Sequence, residues 1–198
     1  MPEIYLELNE RVWLQVFAVM IVLAFFLLFQ IDYLGSIGLL PFRSIKLVVT
    51  DENWNSFLIG IIVPIALIIF ISILHELTHF IVIRRWDKNS KIRVLSSELG
   101  PIKIPFALAI FYNEVTILQY YIVLIAPQVI SIVLLLLSIL VQDVQLAMLL
   151  FGLYALHLLS SAGDIYSFID LLRRRIPLKA KIKCEYEGSK IKGERIYY

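Results

Sequence analysis

"ISILHELTHFIVI", residues 71–83, sets the problem that the rest of the chain has to solve. It reads as lipid-facing helix, yet it carries two histidines and a glutamate in its middle. An ionisable group inside a membrane span costs about 2.5–3.5 kcal/mol on insertion scales, so it is rarely there without a function. On a helix His75 and His79 stand about 40° apart and face one point, with Glu76 on the adjoining part of the same side and Leu77 turned away. Two imidazoles one turn apart can bind one tetrahedral ion at about 2.0–2.1 Å. A glutamate beside them can act as general base toward the metal's water. This HExxH arrangement points to a Zn2+ site. A polar cluster that merely glues helices together is the plainer alternative, but gluing needs no ionisable acid set between two bases.

The flanking sequence argues for a bilayer. Of the 198 residues, 60% are hydrophobic, and the mean hydropathy of +0.85 is well above that of a soluble domain. A single cysteine, Cys184, excludes an internal disulfide and a cysteine-based metal cluster. No signal-peptide pattern is expected, because the first apolar run is too long and no small-residue cleavage site follows it. The length suits one membrane-embedded domain over residues 1–198, without internal repeats.

A span needs about 20 mostly apolar residues. Four stretches qualify: Val12–Phe29, Phe57–Ile83, Gln119–Val141 and Gln145–Gly163, with Pro64 and Pro127 inside the second and third. In this four-span reading sixteen of the 18 lysines and arginines fall on one side, and only Arg43 and Lys46 fall on the other. The positive-inside rule then predicts cytoplasmic N and C termini. Between spans two and three, "KIRVLSS" and "IKIPFALAIFY" flank the turn signal "LGP", which predicts a hairpin or re-entrant segment, with an irregular loop on the bilayer as the alternative. In the tail, residues 171–198, "LKAKIKCEYEGSK" alternates with Ala180, Ile182, Cys184 and Tyr186 on one face, which predicts a small hairpin turning at Gly188–Ser189. The expected fold class is therefore an all-α integral membrane protein of four transmembrane helices with a cytosolic β-hairpin tail.

A catalytic zinc keeps three protein ligands and one open position. No third ligand lies near HELTH, so another helix must supply it. The fourth span offers "HLLSSAGD", in which His157, Ser161 and Asp164 would share an arc of about 60° on a continuous helix. Asp164 could instead be a solvated carboxylate at a helix end, and His157 a hydrogen-bonded packing residue. Gln128, beside Pro127, reads most simply as an interhelical hydrogen-bonding group.

"HELTHF", then "YYIVLIAPQ", then "SSAGDIYSFIDLL" together resemble the family of small prokaryotic membrane proteins known as putative zincin peptidases, which are distantly similar to site-2 proteases. The resemblance covers roughly residues 70–198. It implies that His75, His79 and Asp164 hold zinc, that Glu76 is the base, and that Ser161 and Gly163 are motif companions of Asp164. The family usually has asparagine seven residues before that aspartate. This chain has His157 there, which leaves it open whether His157 assists at the substrate carbonyl or binds metal itself.

The function that follows is a membrane-embedded zinc endopeptidase of a prokaryotic plasma membrane, acting on a membrane protein or membrane-proximal peptide. A catalytically silent adaptor or chaperone that binds client helices is the alternative. Metal transport is weaker, because one polar cluster supplies no second site. Nothing points to nucleic acid, since orientation and anionic lipid headgroups account for the basic tail. The oligomeric state is not legible.

Overall fold

The apolar runs become helices and the alternating runs become strands in the computed structural model, which describes residues 3–7, 10–39, 54–99, 102–187 and 190–198. In chain order these are β1 (Glu3–Glu7), α1 (Glu10–Ser36), α2 (Trp54–Ile83), β2 (Lys91–Leu99), β3 (Ile102–Phe111), β4 (Val115–Thr116), α3 (Ile117–Ile125), α4 (Gln128–Leu140), α5 (Val144–Ser160), α6 (Ala162–Arg173), β5 (Lys181–Glu187) and β6 (Lys190–Tyr197). Among the described residues three stretches are long and apolar enough to cross a membrane: Arg11–Ser36, Ile65–Ile83 and Ile117–Leu140. A fourth joins them if the broken pair α5 and α6 is one span. At 1.5 Å per residue α1 is about 40 Å long, enough to traverse the hydrocarbon core. Phe25, Leu28 and Phe29 on α1 are each more than 60% exposed. Rows of bare aromatic and aliphatic side chains at this density mark a membrane protein.

The contacts divide the chain into two compact units. One comprises Met1–Val19, Leu74–Pro127 and Ala162–Tyr198, and the other Met20–Ile73 and Gln128–Ser161.

The first unit is built on a four-stranded antiparallel sheet in the order β1-β6-β5-β4. The predicted tail hairpin is present as β5 and β6, although Gly188–Ser189, where it was expected to turn, lie outside the described residues. The sheet is larger than the sequence reading allowed, because β1 adds to β6 and β4 adds to β5. The chain is therefore mostly helical rather than all-α. Its core gathers Ile182 and Ile196 from the sheet, Ile117 and Tyr121 from α3, Leu171 from α6 and Ile83 from α2. The predicted hairpin between the second and third spans is the antiparallel pair β2–β3, with a bulge between Leu95 and Ser97.

Local signals explain how α3 starts. Thr116 is its N-cap in a reciprocal capping box: Gln119 N–H donates to Thr116 Oγ1 (3.3 Å) and Thr116 N–H donates to Gln119 Oε1 (2.8 Å). The next two N–H groups, of Ile117 and Leu118, donate to the carbonyls of Ala180 and Leu178 just ahead of β5. The sheet thus sets where α3 begins.

The end of α2 is held by a buried carboxylate. Asp87 accepts the N–H of Asn89 at Oδ1 (2.9 Å) and the N–H of Asn113 at Oδ2 (2.7 Å), tying the turn after α2 to the turn after β3.

In the second unit α4 packs against α5 around Phe151, Tyr154 and Leu27. The Tyr154 hydroxyl donates to Gln30 Oε1 (2.8 Å). Pro127 stands where α3 gives way to α4. The fourth predicted span does not run unbroken to Gly163, since α5 ends at Ser160. The hydroxyls of Ser160 and Ser161 and the N–H of Ser161 all donate to the carbonyl of His157 (2.8, 2.9 and 3.0 Å). Such back-bonding by serine offers the chain an alternative to continuing the helix. The continuous stripe of His157, Ser161 and Asp164 is thereby corrected: the first lies in α5, and Asp164 opens a new helix.

Replacing Asp87 by alanine leaves two backbone N–H groups without their acceptor, at about 1–3 kcal/mol for each that stays buried. We expect Asp87→Ala to lower the thermal midpoint of detergent-solubilised protein by several degrees, and Asp87→Asn, which keeps one acceptor oxygen, to lower it less. Equal midpoints for Asp87→Ala and the unaltered chain would refute this pinning role.

Candidate metal centre

The last turns of α2 present His75 and His79, both buried, with Glu76 partly buried beside them. The two Nε2 atoms are 3.1 Å apart and the rings meet edge to face. Orientation of His79 comes from across the unit, where Nδ1–H donates to the carbonyl of Val123 in α3 (2.7 Å). Why that carbonyl is available follows from sequence. Four residues on stands Pro127, which has no N–H to give it, so the carbonyl has lost its helical donor. Committing Nδ1 as the donor leaves a lone pair on Nε2, the tautomer a metal requires, and a carbonyl in this role is the usual outer support of a ligating histidine.

Asp164 is in the first turn of α6, where the helix dipole favours a carboxylate. Its Oδ2 lies 3.0 Å from His75 Nε2 and 3.1 Å from His79 Nε2. Farther along α6, the Tyr166 hydroxyl donates to Gln15 Oε1 of α1 (2.6 Å), which helps to fix the helix that carries Asp164.

His75, His79 and Asp164 are the one group of three potential ligands among the described residues, with donor atoms within 4.8 Å of one another. They fit a tetrahedral divalent ion. Ligands at 2.0–2.1 Å in a tetrahedron are about 3.3 Å apart, and these three atoms form a nearly equilateral triangle only a few tenths of an ångström tighter. The Nε2 lone pair of His79 facing a carboxylate oxygen is repulsive unless a cation or a proton lies between them. Two nitrogens and one carboxylate oxygen, with a fourth direction free, is the donor set of a catalytic zinc.

The cluster opens on a cavity of about 600 Å3 within this unit, lined among others by Glu76, His79, Asp164, Ile110 and Tyr112. Glu76 thus lines the same cavity as His79 and Asp164.

The remaining expected residues have local partners. Ser161 caps α5 as described, and around Gly163 an added Cβ would meet nothing within 4 Å, so no close approach demands glycine there. His157, fully buried in the second unit, has its Nδ1 2.7 Å from Ser131 Oγ. Ser131 in turn donates to Gln128 Oε1 (3.3 Å), while Gln128 Nε2 is buried without a partner among the described residues. Gln128 therefore bonds within its own helix, and Ser131, not foreseen, bridges α4 to α5. Its spacing of three from Gln128 was the available signal.

Two further features escaped sequence reasoning. One is the Val123 carbonyl, which only the proline four residues later betrays. The other is Glu194 on β6, whose Oε1 accepts the hydroxyls of Tyr112 (2.7 Å) and Tyr120 (2.6 Å), all three residues lining the same cavity.

No curated protein and no solved structure matches the chain. A family described as putative zincin peptidase matches residues 67–175, a segment that begins before HELTH and runs past Asp164 through the whole of α6. That match spans more than half of the sequence and contains the ligand cluster, and on it the chain belongs to the putative zincin peptidase family.

Proposed function

We propose that this protein is a membrane-embedded zinc-dependent endopeptidase that hydrolyses a peptide bond in or near the bilayer. The observation that carries the reading is the convergence of His75 Nε2, His79 Nε2 and Asp164 Oδ2 within 3.1 Å of one another, beside Glu76 in one cavity. Zinc held by these three side chains would supply Lewis acidity, polarising a carbonyl and lowering the pKa of water toward about 7. Glu76 takes the proton of the attacking water and returns it to the leaving amine. Val123 keeps His79 in the ligating tautomer.

A substrate helix has its carbonyls tied up in hydrogen bonds and must be drawn out straight before hydrolysis. The two-stranded sheet β2–β3 leaves β3 with an outer edge, and Ile110 near its end lines the cavity, which supports strand addition as the way an unwound segment is held. Both chain ends belong to one sheet, through β1 and β6, which supports an even number of crossings and so four spans. The bias of sixteen basic residues supports cytoplasmic termini, and the family resemblance supports a prokaryotic plasma membrane.

Metal content per chain tests the site first. Near-stoichiometric zinc is expected in the purified wild type and little in His79→Ala or Asp164→Ala. Zinc retained in Asp164→Ala would move the third ligand to His157, and no zinc in reconstituted wild type would end the peptidase reading in favour of a client-binding role. Glu76→Gln should keep the metal and lose cleavage by at least a hundredfold. Full complementation of a deletion strain by Glu76→Gln would show that catalysis is not the function.

The support from Val123 has its own test. Pro127→Ala restores an N–H that competes for the Val123 carbonyl, so zinc affinity should fall about tenfold while the fold persists, in line with losses of outer-shell partners elsewhere. Competition with a chelating dye in detergent reads this directly, and unchanged affinity would remove the proline from the design.

A further inference from the structure

Among the described residues, the inner face of the four-stranded sheet is apolar except at one place. Ile4, Ile196, Ile182 and Val115 form one row across all four strands. The neighbouring row is Leu6, Glu194 and Cys184. Residues directly opposite on antiparallel strands point the same way, with Cβ atoms about 4.5–5.5 Å apart. Glu194 therefore occupies a position where the pattern calls for an aliphatic side chain. Both hydroxyls that reach it, from Tyr112 and Tyr120, go to the same oxygen, Oε1.

No lysine or arginine joins it among the described residues. On the sheet, Arg195 is engaged with Glu185 and Glu3, and Lys181 with Glu114. Burial pushes the Glu194 carboxyl up, and the hydroxyls of Tyr120 and Tyr112 offset this only in part. Among the described residues no ion pair neutralises it, and the cavity that it lines also holds Glu76, His79 and Asp164, with Arg11 and Arg174, the latter paired with Asp170, also in the lining.

We propose that Glu194, steadied by Tyr112 and Tyr120, is the anionic end of a subsite that takes an ammonium or guanidinium group of a bound peptide. The group could come from a lysine or arginine side chain or from a free N-terminus. Only the naming of the ligand as a peptide rests on the peptidase reading. A charge-assisted hydrogen bond to Glu194 fixes the cationic head, while Leu6, Ile110 and Leu124 along the cavity wall suit an aliphatic stem. Such a subsite makes the cavity selective for a basic residue near the scissile bond.

Cys184 provides the probe, since it is the single cysteine of the chain and stands opposite Glu194. Burial pushes its thiol up to about 12, which slows every thiol reagent alike and leaves ratios interpretable. The full chain in detergent is treated with 2-aminoethyl methanethiosulfonate, a cation, and with neutral methyl methanethiosulfonate. Each rate is divided by that for a free thiol in solution. The cationic reagent should hold an advantage of about tenfold, which disappears in Glu194→Gln.

A second measurement uses unaltered protein, in case that variant fails to fold. Protection of Cys184 from the neutral reagent is compared for four peptides that carry lysine or norleucine and a free or acetylated N-terminus. Protection that follows lysine assigns the subsite to a side chain, and protection that follows the free amine assigns it to a chain terminus. Equal normalised rates for the two reagents, no modification of Cys184 by either, or equal protection by all four peptides would each overturn the proposal. Neither readout needs cleavage or bound zinc, so failure of the peptidase reading would leave the result standing.

Discussion

The hydrogen bond from His79 to the Val123 carbonyl is the contact on which the rest of the site depends. In net terms it is worth only about 0.5–1.5 kcal/mol, a small part of what holds a folded chain together. Its effect lies in which nitrogen carries the proton. With Nδ1 committed to a carbonyl, Nε2 faces His75 and Asp164 as a lone pair. Reverse the tautomer and the same three atoms would crowd a proton where an ion belongs. The carbonyl is free because Pro127 cannot donate to it, and α3, which bears it, is positioned by a capping box and by two backbone bonds to the segment before β5. A sheet made from both ends of the chain thus governs the state of one imidazole in a membrane helix.

Much of this was readable in advance, for reasons that differ from residue to residue. HELTH stands out because charge is costly in an apolar helix, and its spacing places both imidazoles on one face. Asp164 stood out on the polar run HLLSSAGD, and the family resemblance is what singled it out as the third ligand. The break at Ser161 was hidden, because serine is tolerated in membrane helices and only its bonds to the His157 carbonyl reveal a stop. Strand β1 was missed although Ile4 and Leu6 alternate with Glu3, Tyr5 and Glu7, because five residues are too few to outweigh a polar composition. Val123 acts through its backbone, so its side chain carries no sign of the role. Glu194 was camouflaged by the lysines, glutamates and glycine around it in the tail.

The two units handle buried polarity in different ways. In the second, polar groups pair off locally: Gln128 with Ser131, Ser131 with His157, Tyr154 with Gln30. Contacts of this kind between membrane helices average well under 1 kcal/mol, enough to set register but little more. In the first unit the polar groups are assembled around a cavity instead. Three potential ligands converge there, and an acid interrupts an aliphatic sheet. Ionisable groups gathered at a buried cavity cost stability, and a chain tends to keep them where they serve a ligand.

The pairing of β1 with β6 also bears on how the molecule is made. Strand β1 leaves the ribosome long before β6, its neighbour in the sheet, has been made. Until then Ile4 and Leu6 have no sheet to cover them, and the segment that positions α3 has only part of its support. Contacts between the extreme ends of a chain form slowly, since the largest loop must close before they repay it. A polypeptide that lacked β6 would keep its apolar helices yet have no finished sheet, and α3 would lose part of what positions it. The support under the His75, His79 and Asp164 cluster is in this way tied to a pairing between segments that stand far apart in the sequence.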